Sequence, residues 1–148
     1  MPDLTGRLLA LDLGARRVGV AVSDELRITT NSLPAIERRS WKDLLRRVAA
    51  IIESYDARGL VIGLPLSLDG TERSAAQEVR AVAEKFQKSL GVPVYLHDER
   101  LTTVAATERL QMAGRSAREI EQQVDSESAT EILRDFIAHK AYLNRLKS

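Results

Sequence analysis

The sequence predicts an α/β domain built on a mixed sheet, and three observations carry that reading. Short apolar or alternating runs recur between residues 8 and 36, joined by links that suit only antiparallel neighbours. Two later strand-like runs, Leu60 to Leu64 and Val92 to His97, each follow a helical stripe long enough for a crossover. The order is therefore βββαβαβ followed by helices: three meandering strands joined to two parallel ones.

Each element has its own local signal. Leu8 to Leu13 (Leu-Leu-Ala-Leu-Asp-Leu) is apolar enough for a central strand, and Gly14 to Arg16 form a tight turn. Arg17 to Ser23 alternates, with Val18, Val20 and Val22 on one face. A third strand lies within Ile28 to Ile36, where Pro34 indicates an edge position. Ser40 is a helix N-cap, with Asp43 in the capping-box position usually held by Glu or Gln. Trp41, Leu44, Leu45, Val48, Ile52 and Tyr55 then form a helical stripe. Pro65 ends the fourth strand, and Leu66 to Gly70 is a loop. A second helix runs from near Thr71 to Leu90, its inward residues expected at Ala75, Val79, Val82, Ala83, Phe86 and Leu90, with Gly91 as its stop. After the fifth strand, Thr102 or Thr103 caps a helix that ends at Gly114, and a short polar helix covers about Ala117 to Gln123. A last helix spans about Ser126 to Leu146, with Ala129, Ile132, Leu133, Phe136 and Ile137 inward.

The 148 residues suit one domain over 1–148, since the chain has neither a repeat nor a linker-like tract. Hydrophobic residues make up 44%, enough for a core without staples. The absence of cysteine excludes disulfides, thiolate zinc and a cysteine nucleophile, and two histidines disfavour a His-based zinc site. No apolar run approaches the roughly 20 residues of a membrane span. Met1 to Gly6 lead straight into a strand rather than reading as a signal peptide, so a cytoplasmic location is expected. The net charge is only +1, but arginines pair at Arg16–Arg17, Arg38–Arg39 and Arg46–Arg47, while acids gather from Glu119 to Asp135. That distribution suits a basic groove beside an acidic site, and equally suits solvated helix faces.

Asp12 is the most informative residue. A carboxylate inside an apolar strand is costly unless it is paired, hydrogen-bonded or bound to metal. Two roles are open to it: a functional one, or accepting backbone N–H bonds from the Gly14 turn. Asp98-Glu99-Arg100-Leu101-Thr102-Thr103 follows the fifth strand, and α/β sheets gather ligands at the carboxyl ends of parallel strands. Alone, Glu99 and Arg100 read as a surface ion pair. Asp125 precedes the last helix, where Asp is also a favoured cap. Three carboxylates form a hard, oxygen-rich set that suits Mg²⁺ or Mn²⁺, ions able to activate water and stabilise a leaving oxygen. Gly14 to Gly19 has P-loop glycine spacing, but Val20 and Ala21 stand where Lys and Ser or Thr are required.

Four segments resemble the YqgF/RuvX family of bacterial ribonuclease H-like proteins. They are Leu9 to Asp24, Val61 to Leu66 with Asp69-Gly70-Thr71, Asp98 to Thr103, and Val124-Asp125-Ser126 with Ser128-Ala129 and Ile132-Leu133. They stand in family order across nearly the whole chain. The resemblance implies a ribonuclease H-like fold: a five-stranded mixed sheet flanked by helices. It also implies a nuclease site in which Asp12, Glu99 and Asp125 are both catalytic and metal-binding. The family is described as a nuclease maturing the 5′ end of 16S ribosomal RNA, and as a relative of Holliday junction resolvases. Glu119 and Glu121 make the approach to Asp125 more acidic than that pattern leads one to expect.

The leading expectation is a metal-dependent endonuclease acting on structured RNA, with a junction-resolving DNA nuclease as the alternative. A different class is a non-catalytic ribosome-binding module, against which the three carboxylates argue, or a nucleotide-binding module with a cleft, because actin-type ATPases share this core and a turn like Asp12-Leu13-Gly14. That cleft needs two such domains, and this chain has room for one. Substrate phosphates are expected at Arg16, Arg17 and Arg100, with Ser67 and Thr71 flanking the groove from the Gly63 to Thr71 loop.

Overall fold

The structure is a computed structural model and describes residues 6–65, 74–98 and 127–139. Among these, β1 (Leu8–Leu13), β2 (Arg17–Ser23), β3 (Thr30–Glu37), α1 (Trp41–Tyr55), β4 (Gly59–Leu64), α2 (Ser74–Ser89) and β5 (Val94–Asp98) follow in order. A further helix covers residues 127–139. The five strands form one sheet in the order β3-β2-β1-β4-β5. β3, β2 and β1 pair antiparallel, whereas β1, β4 and β5 are parallel. This is the mixed sheet that the sequence predicts, and it places the carboxyl ends of β1, β4 and β5 at one edge.

Alternation along the strands assigns two faces. Leu9, Leu11, Val18, Val20, Val22, Leu60 and Ile62 pack with Leu44 and Val48 of α1 and with Val79, Ala83 and Phe86 of α2. Leu8, Ala10, Ala21 and Val61 face the other way, toward Ala129, Ile132, Leu133 and Phe136. The sheet is thus covered on both faces, which explains why β1 and β4 read as continuous apolar runs.

Ser40 caps α1 by accepting the Asp43 N–H at 3.1 Å. The capping box is only half made, because the Asp43 carboxylate turns to Arg46 and Arg47 at 2.7 and 3.0 Å. β3 is an edge strand, as Pro34 indicates. The register shift between Val18 and Val20 gives β3 an extra residue between Leu33 and Ile36, so Pro34 falls at a bulge. Strand limits move slightly: β3 ends at Glu37, one residue beyond the expected run, and β5 covers Val94–Asp98 instead of starting at Val92. One inward assignment is corrected. Ala75 is exposed and Ala76 is buried, because the stripe Ala76, Val79, Ala83 and Phe86 keeps the 3-4-3 spacing of a single helix face. The expected start of α2 near Thr71, the Leu66 to Gly70 loop, and the helices placed between Thr102 and Gln123 lie outside the described residues.

Candidate active site

The site begins with Asp12, the next-to-last residue of β1. Its strand neighbours on the same face are Leu8 and Ala10, so its carboxylate emerges beside the 127–139 helix and not beneath α1 and α2. Asp12 pairs with Gly19 of β2. On its other side the parallel register of Leu11 with Ile62 carries on to Gly63. Both strand neighbours are glycines, and both are buried, while Asp12 itself is half-buried. Next across the sheet stands His97, which pairs with Gly63. With strands about 4.8 Å apart, Asp12 and His97 face each other across a glycine floor about 10 Å wide.

The turn after Asp12 is tightly determined. The Gly14 N–H lies 3.1 Å from the Asp12 carbonyl and 3.0 Å from the Arg17 carbonyl, so this amide serves main-chain oxygens. A Cβ on Gly14 would come within 2.5 Å of the Arg17 carbonyl oxygen, which is why the position requires glycine. Arg38 locks the turn from outside. Its backbone N–H donates to the Arg16 carbonyl at 2.8 Å, its Nη1 to the Gly14 carbonyl at 2.9 Å, and its Nη2 to Glu78 of α2 at 3.0 Å. Sequence reasoning noted Arg38 only as one of an arginine pair. Its partner on Gly14 is 24 residues away, and nothing local signals that contact.

Of the expected phosphate-binding residues, Arg16 is exposed in the turn. Arg17 opens β2 on the face of Gly19 and Ala21, which is the face of Asp12. Glu99, Arg100, Asp125, Ser67 and Thr71 lie outside the described residues. Glu99 follows Asp98, the last residue of β5, and Asp125 stands two residues before the 127–139 helix. Among the described residues no three His, Asp or Glu side chains gather as a metal site. The donor chemistry nevertheless suits a hard divalent cation. Asp12 offers oxygen, the donor atom that such a cation prefers. A cavity of about 140 Å³ near the same turn is lined by Leu13, Ala15, Arg38, Pro65, Ala75, Glu78, Val79 and Val82. It opens on the α2 side of the sheet, away from Asp12, and is not the site.

The family whose pattern carries the description "RuvX: Holliday junction resolvase" matches residues 6–139. The chain belongs to the RuvX family. A resolvase is a nuclease, so RuvX membership makes phosphodiester hydrolysis the chemistry of this chain. Relatives named "Putative pre-16S rRNA nuclease" include one from Anaeromyxobacter sp. (strain K), 41% identical over 135 residues, covering 91% of this chain and 98% of its own. Another, from Moorella thermoacetica, is 39% identical over 140 residues, covering 95% and 96%. Among solved structures, T. thermophilus RuvC in complex with Holliday junction substrate matches with a TM-score of 0.57 at 12% identity, over 92% of this chain and 96% of its own. The yeast mitochondrial Holliday junction resolvase Ydc2 matches with a TM-score of 0.57 at 10% identity, over 95% and 81%. At such identities the shared property is the ribonuclease H-like fold.

Proposed function

We propose that this RuvX protein is a metal-dependent endonuclease that processes the 5′ end of pre-16S ribosomal RNA. The observation that carries this reading is Asp12: a carboxylate on an otherwise apolar central strand, at the edge where three parallel strands end, between two glycines. Asp12, Glu99 and Asp125 are the proposed catalytic carboxylates, and together they would hold Mg²⁺ or Mn²⁺. Bound there, such an ion supplies Lewis-acid stabilisation of charge on phosphate oxygens and lowers the pKa of water. The chain's own residues orient the substrate. Arg16 and Arg17 meet phosphates beside Asp12, Arg100 does so beside Glu99, and Ser67 and Thr71 flank the groove. The names of relatives about 40% identical over nine-tenths of the chain support the RNA substrate.

The description attached to the matching family favours a second reading, resolution of branched DNA, and the fold shared with RuvC and Ydc2 agrees with it. One experiment separates the two. Purified protein is incubated with Mg²⁺ or Mn²⁺ on a precursor rRNA carrying its 5′ extension and, in parallel, on a four-way DNA junction. Cleavage of the RNA at a discrete position, with the junction left intact, is the expected result. Junction cleavage alone would replace the first reading with the second.

A further inference from the structure

His97 is the one imidazole on the strand that leads into Glu99, and the proposed chemistry assigns it no role. It stands at the level of Asp12 on the same sheet face, with Gly63 between them. Its Nε2 lies 2.6 Å from Oδ2 of Asp135, and its ring meets the edge of Phe136 at a centroid distance of 5.9 Å. A carboxylate can only accept, so the ring N–H donates, and that bond fixes which nitrogen carries the proton. Phe136 packs on Tyr95 as well, at 5.3 Å, so one turn of the helix is held to β5 by an aromatic contact and a hydrogen bond together. The apolar contact sets how far the helix stands from the sheet. The hydrogen bond adds a directional constraint along β5, because an N–H to oxygen bond tolerates little sliding.

We propose that the His97–Asp135 pair is a positioning device for the metal-dependent cut. It pins the 127–139 helix to the carboxyl end of β5, on the sheet face that carries Asp12. The proposal rests on the nuclease reading. Chain connectivity gives it consequence: Glu99 follows His97 by two residues, and Asp125 precedes the helical run by two. A shift of the helix along β5 would therefore change the distance between Asp98 and Glu127, the described residues nearest in sequence to Glu99 and Asp125. The pair adds little to stability by itself, because Asp135 is 68% exposed.

The test uses Asp135→Ala, Asp135→Asn and His97→Phe in the full chain. Two readouts are taken on each: the Mg²⁺ or Mn²⁺ concentration giving half-maximal cleavage, and the concentration giving half the metal-induced rise in melting temperature. Asp135→Ala is expected to need about tenfold more metal in both, the low end of the usual cost of losing an outer-shell partner. Asp135→Asn keeps an oxygen for the same N–H and is expected to stay near wild type. His97→Phe keeps a ring against Phe136 without the donor and is expected to match Asp135→Ala, so it decides the question if Asp135→Ala does not fold. Wild-type metal dependence in His97→Phe or in a folded Asp135→Ala overturns the proposal. So does lower activity at unchanged metal dependence, which would mark the pair as merely structural. A wild-type protein that cleaves neither substrate and gains no stability from metal sinks the nuclease reading itself.

Discussion

At the scale of single residues, Asp12 and Gly14 are determined by opposite constraints. A half-buried carboxylate on an apolar strand opposes folding, because its desolvation is unfavourable until charge or hydrogen bonds offset it. Asp12→Asn should abolish the rise in melting temperature produced by Mg²⁺ or Mn²⁺, and lower cleavage by more than about 100-fold, beyond the usual cost of an outer-shell change. Paired thermal melts and cleavage rates check both statements; a variant that keeps its metal-induced rise would remove Asp12 from the ligand set. Gly14 acts through the space it leaves. Because a Cβ would stand 2.5 Å from the Arg17 carbonyl oxygen, Gly14→Ala must open the turn, at about 1–3 kcal/mol as for other overpacked sites. A lower urea midpoint at unchanged slope would report it.

At the scale of elements, two features make quantitative expectations. The link between β2 and β3 is tied by Asp24, whose Oδ1 accepts the N–H groups of Thr29 at 2.9 Å and Ile28 at 2.7 Å. The Thr29 bond is the main cause that holds this carboxyl below its ordinary value of 3.8. A folded-state value below the unfolded one means that the stabilisation is present above about pH 3.8 and is lost as pH falls through the lowered value. Asp24→Asn removes that titration, so its melting temperature should fall less steeply than wild type in this acid range. Parallel curves would show that the link contributes nothing through Asp24. The 127–139 helix makes the second case. Ile132 is fully buried against the face that carries Asp12, and Ile132→Ala should cost about 2–5 kcal/mol in denaturant unfolding. A cost near zero would mean that the helix is not docked as described.

For the molecule as a whole, charge is small in sum and uneven in place. The net value of +1 gives no strong attraction for a polyanion, so binding has to come from local cations. Arg17 shares the face of Asp12, and Arg16 is exposed in the adjoining turn. Replacing both with alanine should weaken nucleic-acid binding and reduce the salt slope by up to about 1.4–1.8, since each lost phosphate contact removes about 0.7–0.9. Binding measured across a salt series reads this directly. An unchanged slope would return both residues to the solvated surface.

The sequence by itself determined the order of the five strands with α1 and α2, the β1–β2 hairpin, the edge position of β3 and the Ser40 cap, because each depends on neighbours within a few residues. It also singled out Asp12, since a lone acid in an apolar run is visible without coordinates. The phase of α2 at Ala75 and Ala76 was not legible, because two adjacent alanines fit the periodicity equally and only packing against the sheet chooses between them. The tertiary structure alone decided which side of the sheet Asp12 faces, that Gly19 and Gly63 flank it, and that Arg38 and His97 reach partners 24 and 38 residues away. Those facts follow from strand register and helix docking, which set long-range distances that no local pattern of residue types encodes.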